Sequence, residues 1–265
     1  LMGTITLAPV NGQLWVGPGG LTITGPGASS LTVDGAGTER VFYLQGDSED
    51  QNAVTISGLT INNGYAEGSG GNIYSYNVDL TLQSVVVSDG GAAGDGGGIF
   101  LTGELGSLLM SDSQLVGNGA YFDGGGLFAD GSEGSGLVPV AATAGEGITI
   151  ERSVISGNEA GQEMGVDQLV SDGGYGGGIF INNANGPVSI SETTIDNNTA
   201  YYDGGGIFID NVAAPVVIDR STISNNDSDN GSGGGVFASS SFDNFTLSNS
   251  TVSTNTAHGV GGGLF

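Results

Sequence analysis

The protein has 265 residues, of which 53 are glycine and six are proline, and it contains no cysteine. It carries 28 acidic side chains against three basic ones and one histidine, so its formal net charge at pH 7 is −25. These values exclude collagen, whose glycines follow a three-residue period, and any zinc or disulfide framework built on cysteine. They also exclude a membrane-spanning helix. The protein lacks the basic surface that binding to nucleic acid or to anionic membranes requires.

The first 50 residues predict irregular N-terminal coils. Short apolar segments with alternating polarity occur at 4–7, 21–23, 31–33 and 41–44, and glycine and proline separate them. Alternation with a period of two between turn residues is typical of β-strands. The chain begins Leu1-Met2-Gly3, without a basic start and an apolar run, so no signal peptide is recognised.

A repeated motif dominates residues 51–265. A Gly-Gly-Gly-aliphatic-aromatic block ends at Phe100, Phe128, Phe180, Phe208, Phe237 and Phe265, and a variant of it ends at Tyr74. From Tyr74 onward these aromatic residues are 26, 28, 52, 28, 29 and 28 residues apart. Two further alternating segments follow each block, so each repeat of roughly 28 residues predicts three short strands. The sequence therefore predicts an all-β parallel β-helix, or solenoid, of about nine coils.

The 52-residue step between Phe128 and Phe180 predicts one coil that carries two inserted loops, near 131–143 and 160–173. Without these insertions the step has the length of its neighbours. The coils are expected to form a single domain. Because Phe265 closes a block in the middle of a repeat, we interpret the chain as part of a longer protein.

One repeat position contains only glycine and asparagine. Its asparagines are Asn118, Asn158, Asn198, Asn226 and Asn255, after Gly64 and Gly90 in the earlier repeats. Glycine and asparagine accept a left-handed backbone most readily, which predicts a bend with positive φ at this position. Stacked asparagine side chains can also form hydrogen bonds along the column, so we expect a structural ladder.

The aromatic residues of the blocks form a second column. If the preceding aliphatic residue points into the core, period two directs the aromatic side chains outward. The residues concerned are Tyr74, Phe100, Phe128, Phe180, Phe208 and Phe237. An exposed stripe of this kind marks a contact surface, so we expect an interface with a partner or a second subunit. The alternative is that inserted loops or a bulge at the glycines cover the rings.

The Gly-Gly-Gly-Ile and Ile-x-x-Asn patterns resemble the Gly-Gly-Ala-Ile and Phe-x-x-Asn repeats of chlamydial polymorphic outer membrane proteins. They are also similar to the repeats of bacterial secreted right-handed parallel β-helix proteins. The resemblance covers about residues 20–265. This chain differs from the family repeat at the phenylalanine of Phe-x-x-Asn, where it has Ile155, Ile195 and Ile223. The resemblance implies a right-handed coil, an extracellular or cell-surface location, and an adhesin-like or structural role.

Calcium is the predicted cofactor, because hard cations bind six to eight oxygens in glycine-rich acidic turns. Asp227, Asp229 and Asn230 lie within one such turn, and Asp203 lies on the neighbouring bend with Asp95 and Asp123. A second acidic cluster spans residues 47–50. The alternative is a solvated acidic surface that only promotes solubility.

Catalytic groups are sparse. Arg152 and Arg220 occupy similar repeat positions and are the candidates for the cationic base of a pectate-lyase-like site, but each follows an acidic residue with which it can pair. The Asp95, Asp123 and Asp203 carboxylates form a column, whereas a hydrolase holds two carboxylates at a defined separation. His258 has no nucleophile pattern beside it.

We therefore interpret the chain as a non-catalytic extracellular scaffold, an adhesive or filament-forming β-helix of the cell surface. Its expected partners are copies of itself or other surface proteins. The alternative is a carbohydrate-active or carbohydrate-binding β-helix, similar to pectate lyases or polygalacturonases, with a polysaccharide as the partner. In that case the aromatic pairs Tyr121-Phe122 and Tyr201-Tyr202 would stack on sugars.

Overall fold

A computed structural model describes residues 2–8, 12–47, 52–103, 106–131, 147–161, 173–239 and 244–265. Within these ranges the chain forms β-strands and no helix, and it winds into a parallel β-solenoid of about 8 turns with about 28 residues per turn. The predicted parallel β-helix is confirmed. The number of turns is close to the nine coils expected, and the four sheets contain between seven and nine described strands each.

Four parallel sheets run along the solenoid, and we number them in the order in which one turn of the chain visits them. Sheet 1 contains Leu14–Val16, Phe42–Gln45, Ile73–Tyr76, Ile99–Thr102, Leu127–Asp130, Ile179–Asn182, Ile207–Asp210 and Val236–Ser239. Sheet 2 contains Leu21–Thr24, Asn52–Ser57, Val78–Gln83, Ser107–Ser111, Ile148–Glu151, Val188–Ser191, Val216–Asp219 and Phe245–Ser248.

Sheet 3 contains Gly3–Thr6, Leu31–Asp34, Thr60–Asn62, Val86–Ser88, Gln114–Val116, Val154–Ser156, Thr194–Asp196, Thr222–Ser224 and Thr251–Ser253. Sheet 4 contains Tyr65–Ala66, Gly91–Ala92, Gly119–Ala120, Glu159–Ala160, Thr199–Ala200, Asp227–Ser228 and Thr256–Ala257. The sequence predicts three strands per coil, and sheet 4 is an addition to them. Its two-residue strands are too short to show an alternating pattern.

The core follows from the alternation along each strand. In sheet 1 Ile99 pairs with Ile73 and Leu127, and all three side chains are fully buried. Inward aliphatic side chains of sheets 2 and 3 complete one continuous apolar cluster along the solenoid. Because each coil buries its apolar face against the next, the narrow core is stable only as a stack.

The regular register continues across the 52-residue step. Leu127–Asp130 pairs directly with Ile179–Asn182, so Phe128 lies opposite Phe180. Most of both predicted loops, at 132–146 and 162–172, lies outside the described residues, as do residues 48–50 of the second acidic cluster. No helix in the described ranges is long and apolar enough to span a membrane.

Candidate functional site

Asparagine side chains form a hydrogen-bonded ladder at the bend between sheets 3 and 4. The predicted ladder residues that lie in it are Asn118, Asn158, Asn198, Asn226 and Asn255. The backbone N–H and the side-chain Nδ2 of Asn198 both donate to Oδ1 of Asn226, at 3.0 and 2.9 Å. Nδ2 also donates to the carbonyl of Ile155 at 3.0 Å. The ladder thereby pairs buried polar groups that would be costly to leave unsatisfied.

The positive φ predicted for Asn158, Asn198 and Asn226 is wrong, because the left-handed residue is the one before each of them. Positive φ values of 54° and 55° occur at Asn197 and Asn225, which are exposed. The ladder residue must direct both its N–H and its side chain along the stack. The chain therefore reverses one residue earlier, where the side chain points into solvent.

The aromatic residues form a second ladder on the outer side of sheet 1. Its members are Tyr43, Tyr74, Phe100, Phe128, Phe180, Phe208, Phe237 and Phe265. Neighbouring ring centroids are 4.7 to 5.1 Å apart, and the ring planes differ by 2° to 19°. This spacing is the strand separation of a parallel sheet, so the sheet itself sets the stacking distance.

The expected exposed aromatic stripe is wrong for the central rings. Phe100, Phe128, Phe180 and Phe208 are only 5%, 8%, 6% and 9% exposed. They face away from the aliphatic core, but the neighbouring rings and the glycine bend cover them. A Cβ on Gly124, whose φ is +64°, would lie 2.7 Å from Cβ of Phe128, so the bend contacts the aromatic strand closely.

Tyr74 and Phe237 are half-buried members of the same ladder. A protein contact at Tyr74, Phe100, Phe128, Phe180, Phe208 and Phe237 stays a prediction. Any such contact would meet ring edges, because stacking covers the ring faces.

The acidic residues before the glycine triplets accept backbone hydrogen bonds from the next coil. Oδ1 of Asp95 accepts the N–H of Asp123 at 3.1 Å, and Oδ1 of Asp123 accepts that of Tyr175 at 2.9 Å. Oδ1 of Asp203 accepts the N–H of Ser232 at 2.6 Å. These carboxylates therefore connect successive coils.

Among the predicted calcium residues, Asp227 and Asp229 lie close enough to interact with each other, and Asp203 accepts the backbone N–H of Ser232. Burial and repulsion from Asp227 raise the pKa of Asp229, and Thr256 donates a hydrogen bond to Asp227. In the part of the chain that the structure describes, no three His, Cys, Asp or Glu side chains form a group that could hold a metal ion. Calcium at Asp227, Asp229, Asn230 and Asp203 stays a prediction.

The arginines proposed as catalytic cations form exposed ion pairs. Nε of Arg152 lies 2.9 Å from Oδ1 of Asp112, and Nη2 of Arg220 lies 3.0 Å from Oε1 of Glu192. Hydrogen bonds from these arginines to their carboxylate partners raise the pKa of both guanidinium groups. Exposed ion pairs of this kind are common surface features. His258 is also exposed.

A groove of about 380 Å³ opens beside the aromatic ladder where it passes from Phe128 to Phe180. It is lined by Asp95, Phe122 and Asp123 from the bends before sheet 1, by Phe128 and Phe180, and by Asp130 and Asn182. Asp130 and Asn182 follow the two phenylalanines by two residues, so period two places them on the same outer face.

The groove is electrostatically negative. Burial, together with repulsion from the Asp95 and Asp130 carboxylates, raises the pKa of the Asp123 carboxyl to about 6. Backbone N–H groups of Tyr175 and Gly174 act in the opposite direction by stabilising the charged form. No arginine is among the lining residues. The sequence interpretation named Asp95 and Asp123 but missed Asp130 and Asn182, although both stand two residues after a column phenylalanine.

The predicted sugar-stacking pairs contact each other. Tyr121 and Phe122 pack edge to face with ring centroids 4.9 Å apart, and so do Tyr201 and Tyr202. Tyr202 also stacks on Tyr175 at 5.3 Å. Their role in sugar binding stays a prediction.

Residues 192–210 match the Chlamydia polymorphic membrane protein (Chlamydia_PMP) repeat. This stretch includes the ladder residue Asn198, the triplet that begins at Gly204, and Phe208. Together with the solenoid fold, the match supports a β-helix repeat protein similar to polymorphic membrane proteins, and it indicates an outer-membrane or surface-associated protein.

No curated protein sequence matches this chain. Among solved structures, a chain described as "Geobacillus virus E2 - ORF18" is similar at 11% sequence identity with a TM-score of 0.28. The similarity covers 97% of this chain and 51% of that chain, so this chain spans about half the length of the virus protein.

Proposed function

We propose that this chain is a non-catalytic, extracellular structural β-solenoid that acts as an adhesive or filament-forming scaffold of a cell surface. The observation that carries the proposal is the use of the recurring polar and aromatic residues. Asparagines and aromatic rings form ladders between coils, and Asp95, Asp123 and Asp203 connect coils through backbone N–H groups. These contacts stabilise a long rod, and a rod is suited to holding contact surfaces away from a cell.

The match to a polymorphic membrane protein repeat supports a surface location. Copies of this chain or other surface proteins are the partners that we propose. A net charge of −25 opposes self-association at low ionic strength, so association should increase when salt or calcium screens the charge.

Adhesion is tested with beads that carry the purified protein, by counting the beads that attach to cultured cells. Beads that carry an unrelated acidic protein of similar charge are the control. We expect specific attachment, and electron microscopy across a salt and calcium series should show filaments if the scaffold self-associates. Attachment equal to the control together with a monomeric particle in every condition would contradict the proposal. Release of reducing ends from polygalacturonate would instead favour the carbohydrate-active alternative.

A further inference from the structure

The groove beside Phe128 and Phe180 combines an apolar surface with three carboxylates, those of Asp95, Asp123 and Asp130. Its volume is about 380 Å³, and the groove is shallow and open to solvent. The chain contains no lysine, and the ion pairs of Arg152 and Arg220 involve Asp112, Glu151, Asp219 and Glu192. The groove residues therefore provide negative charge and apolar contact, and no arginine is among them.

The third arginine also lies outside the groove. Arg40 donates to the carbonyls of Ser69 and Gly70, at 2.8 Å each, and lies over the rings of Tyr43 and Tyr74. A complementary positive charge at the groove would therefore come from another molecule.

A bare metal ion does not fit these carboxylates. It needs several oxygens within about 2.6 Å of one point, and Asp95, Asp123 and Asp130 do not form such a group. An ammonium group instead forms up to three separate N–H···O hydrogen bonds of about 2.7–2.9 Å, so it does not need six to eight oxygens around one point.

The aromatic surface restricts the occupant further. Phe128 and Phe180 stack with a centroid distance of 4.9 Å and an interplanar angle of 3°, so each covers a face of the other. A sugar ring or a guanidinium group binds best on an aromatic face. Ring edges instead offer apolar contact to methylene groups.

We propose that this groove binds the lysine side chain of a partner polypeptide, with the ammonium group among Asp95, Asp123 and Asp130 and the methylene stem against the edges of Phe128 and Phe180. Lysine combines a compact charge with an apolar stem, which is the combination that the groove provides. The proposal rests on the groove and is independent of the proposed scaffold function.

The test is a titration of the ¹⁵N-labelled protein with Nα-acetyl-lysine-N-methylamide at pH 7.5 and low salt, followed by NMR. We expect saturable shifts at the amides of Tyr175 and Phe180, with a dissociation constant on the order of 1 mM. The substitutions Asp123→Asn and Asp130→Asn should each weaken binding by about tenfold, because each removes one carboxylate. The matched control is Asp89→Asn, which removes an exposed carboxylate outside the groove and should leave the affinity unchanged.

Neutral and competing ligands complete the test. The analogue that is also acetylated at Nζ should not bind, because it lacks the charge. Lysine binding should weaken at pH 5, where Asp123, which faces Asp95 and Asp130, becomes protonated. Melting temperatures establish that each variant is folded. The proposal would be overturned if the neutral analogue bound equally well or if both groove variants kept the parent affinity. Binding of free cadaverine, glucose or calcium without binding of the lysine derivative would also overturn it.

Discussion

The side chain of Asn72 occupies the space beside Gly90 that the ladder asparagines fill in later coils. Nδ2 of Asn72 donates to Oδ1 of Asn118 at 3.1 Å, and Oδ1 of Asn72 accepts the N–H of Gly64 at 2.9 Å. A Cβ on Gly90 would lie 2.5 Å from Nδ2 of Asn72. Asn72 comes from the glycine-triplet position, where the next coil has Gly98, and a Cβ on Gly98 would lie 2.9 Å from Cγ of Asn118. Each ladder site therefore holds one amide, from one strand or the other.

This relationship predicts that Asn72→Gly and Gly90→Asn compensate each other. Asn72→Gly alone leaves the N–H of Gly64 without its acceptor, and Gly90→Asn alone crowds Asn72, so each should lower the free energy of unfolding by about 1–3 kcal/mol. The double variant should recover part of the summed losses, since its single amide matches the later coils, but a Cβ at position 90 would still lie 2.4 Å from the carbonyl oxygen of Gly97. Urea unfolding of all four proteins measures the coupling. Simple additivity of the two losses would contradict the account.

Removal of one ladder side chain should be costly. Asn198→Ala leaves the N–H and Nδ2 of Asn158 without their common acceptor, so we expect the free energy of unfolding to fall by about 2–4 kcal/mol. Asn244→Ala, at an exposed asparagine outside the ladder, is the control and should change stability by less than about 0.5 kcal/mol. Urea midpoints give the comparison, and equal small losses in both variants would show that the ladder contributes little.

The aromatic ladder should stabilise the fold where its rings are buried. Phe180→Ala should lower the free energy of unfolding by about 3–5 kcal/mol, because it creates a cavity between two rings. Phe265 belongs to the same ladder but is 51% exposed, so Phe265→Ala should cost less than about 1 kcal/mol. Thermal and urea unfolding test both variants. A small loss at Phe180 would mean that the rings stack without supporting the coils.

The Asp123 carboxyl should make stability depend on pH. Its pKa is about 6 in the folded protein against 3.8 for the ordinary group, so the folded state binds this proton more tightly than the unfolded state does. The contribution of Asp123 to stability is therefore full below about pH 4 and is lost as pH rises through about 6, and the full loss is about 3 kcal/mol. Asp123→Asn keeps the acceptor for Gly174 and Tyr175 without the charge, so it should be more stable than the parent at pH 7 and similar at pH 4.

Unfolding midpoints of the parent and Asp123→Asn proteins from pH 4 to pH 7 measure that difference. Since the other carboxylates are common to both proteins, the difference isolates Asp123. Parallel pH curves for the two proteins would contradict a contribution of Asp123 to the pH dependence of stability.

Calcium at Asp227 and Asp229 predicts a lower melting temperature when a chelator is added at fixed ionic strength, because an ion that binds only the folded state stabilises it. Asp227→Asn should abolish the effect of the chelator, whereas Asp89→Asn should preserve it. Identical melting curves with and without chelator in the parent protein would exclude a stabilising calcium ion.

The repeat made the fold predictable from sequence. Stacked coils place equivalent residues above one another, so the recurrence of Ile179, Ile207 and Val236 with a period near 28 specified the inward face of sheet 1. The column from Asn118 to Asn255 likewise indicates a ladder from the sequence alone. Such patterns are visible in sequence because a solenoid uses contacts between adjacent repeats only.

Only the tertiary structure decided how the bends are built. The left-handed residue is Asn197 and not Asn198, and the glycine bend at Gly124 covers Phe128, because both depend on backbone direction through a few turn residues. The groove is likewise a feature that only the tertiary structure decides. Asp123, Asp130 and Phe180 meet because a 52-residue step returns the chain to the adjacent strand, and sequence spacing alone does not reveal which side chains share a surface after such a step.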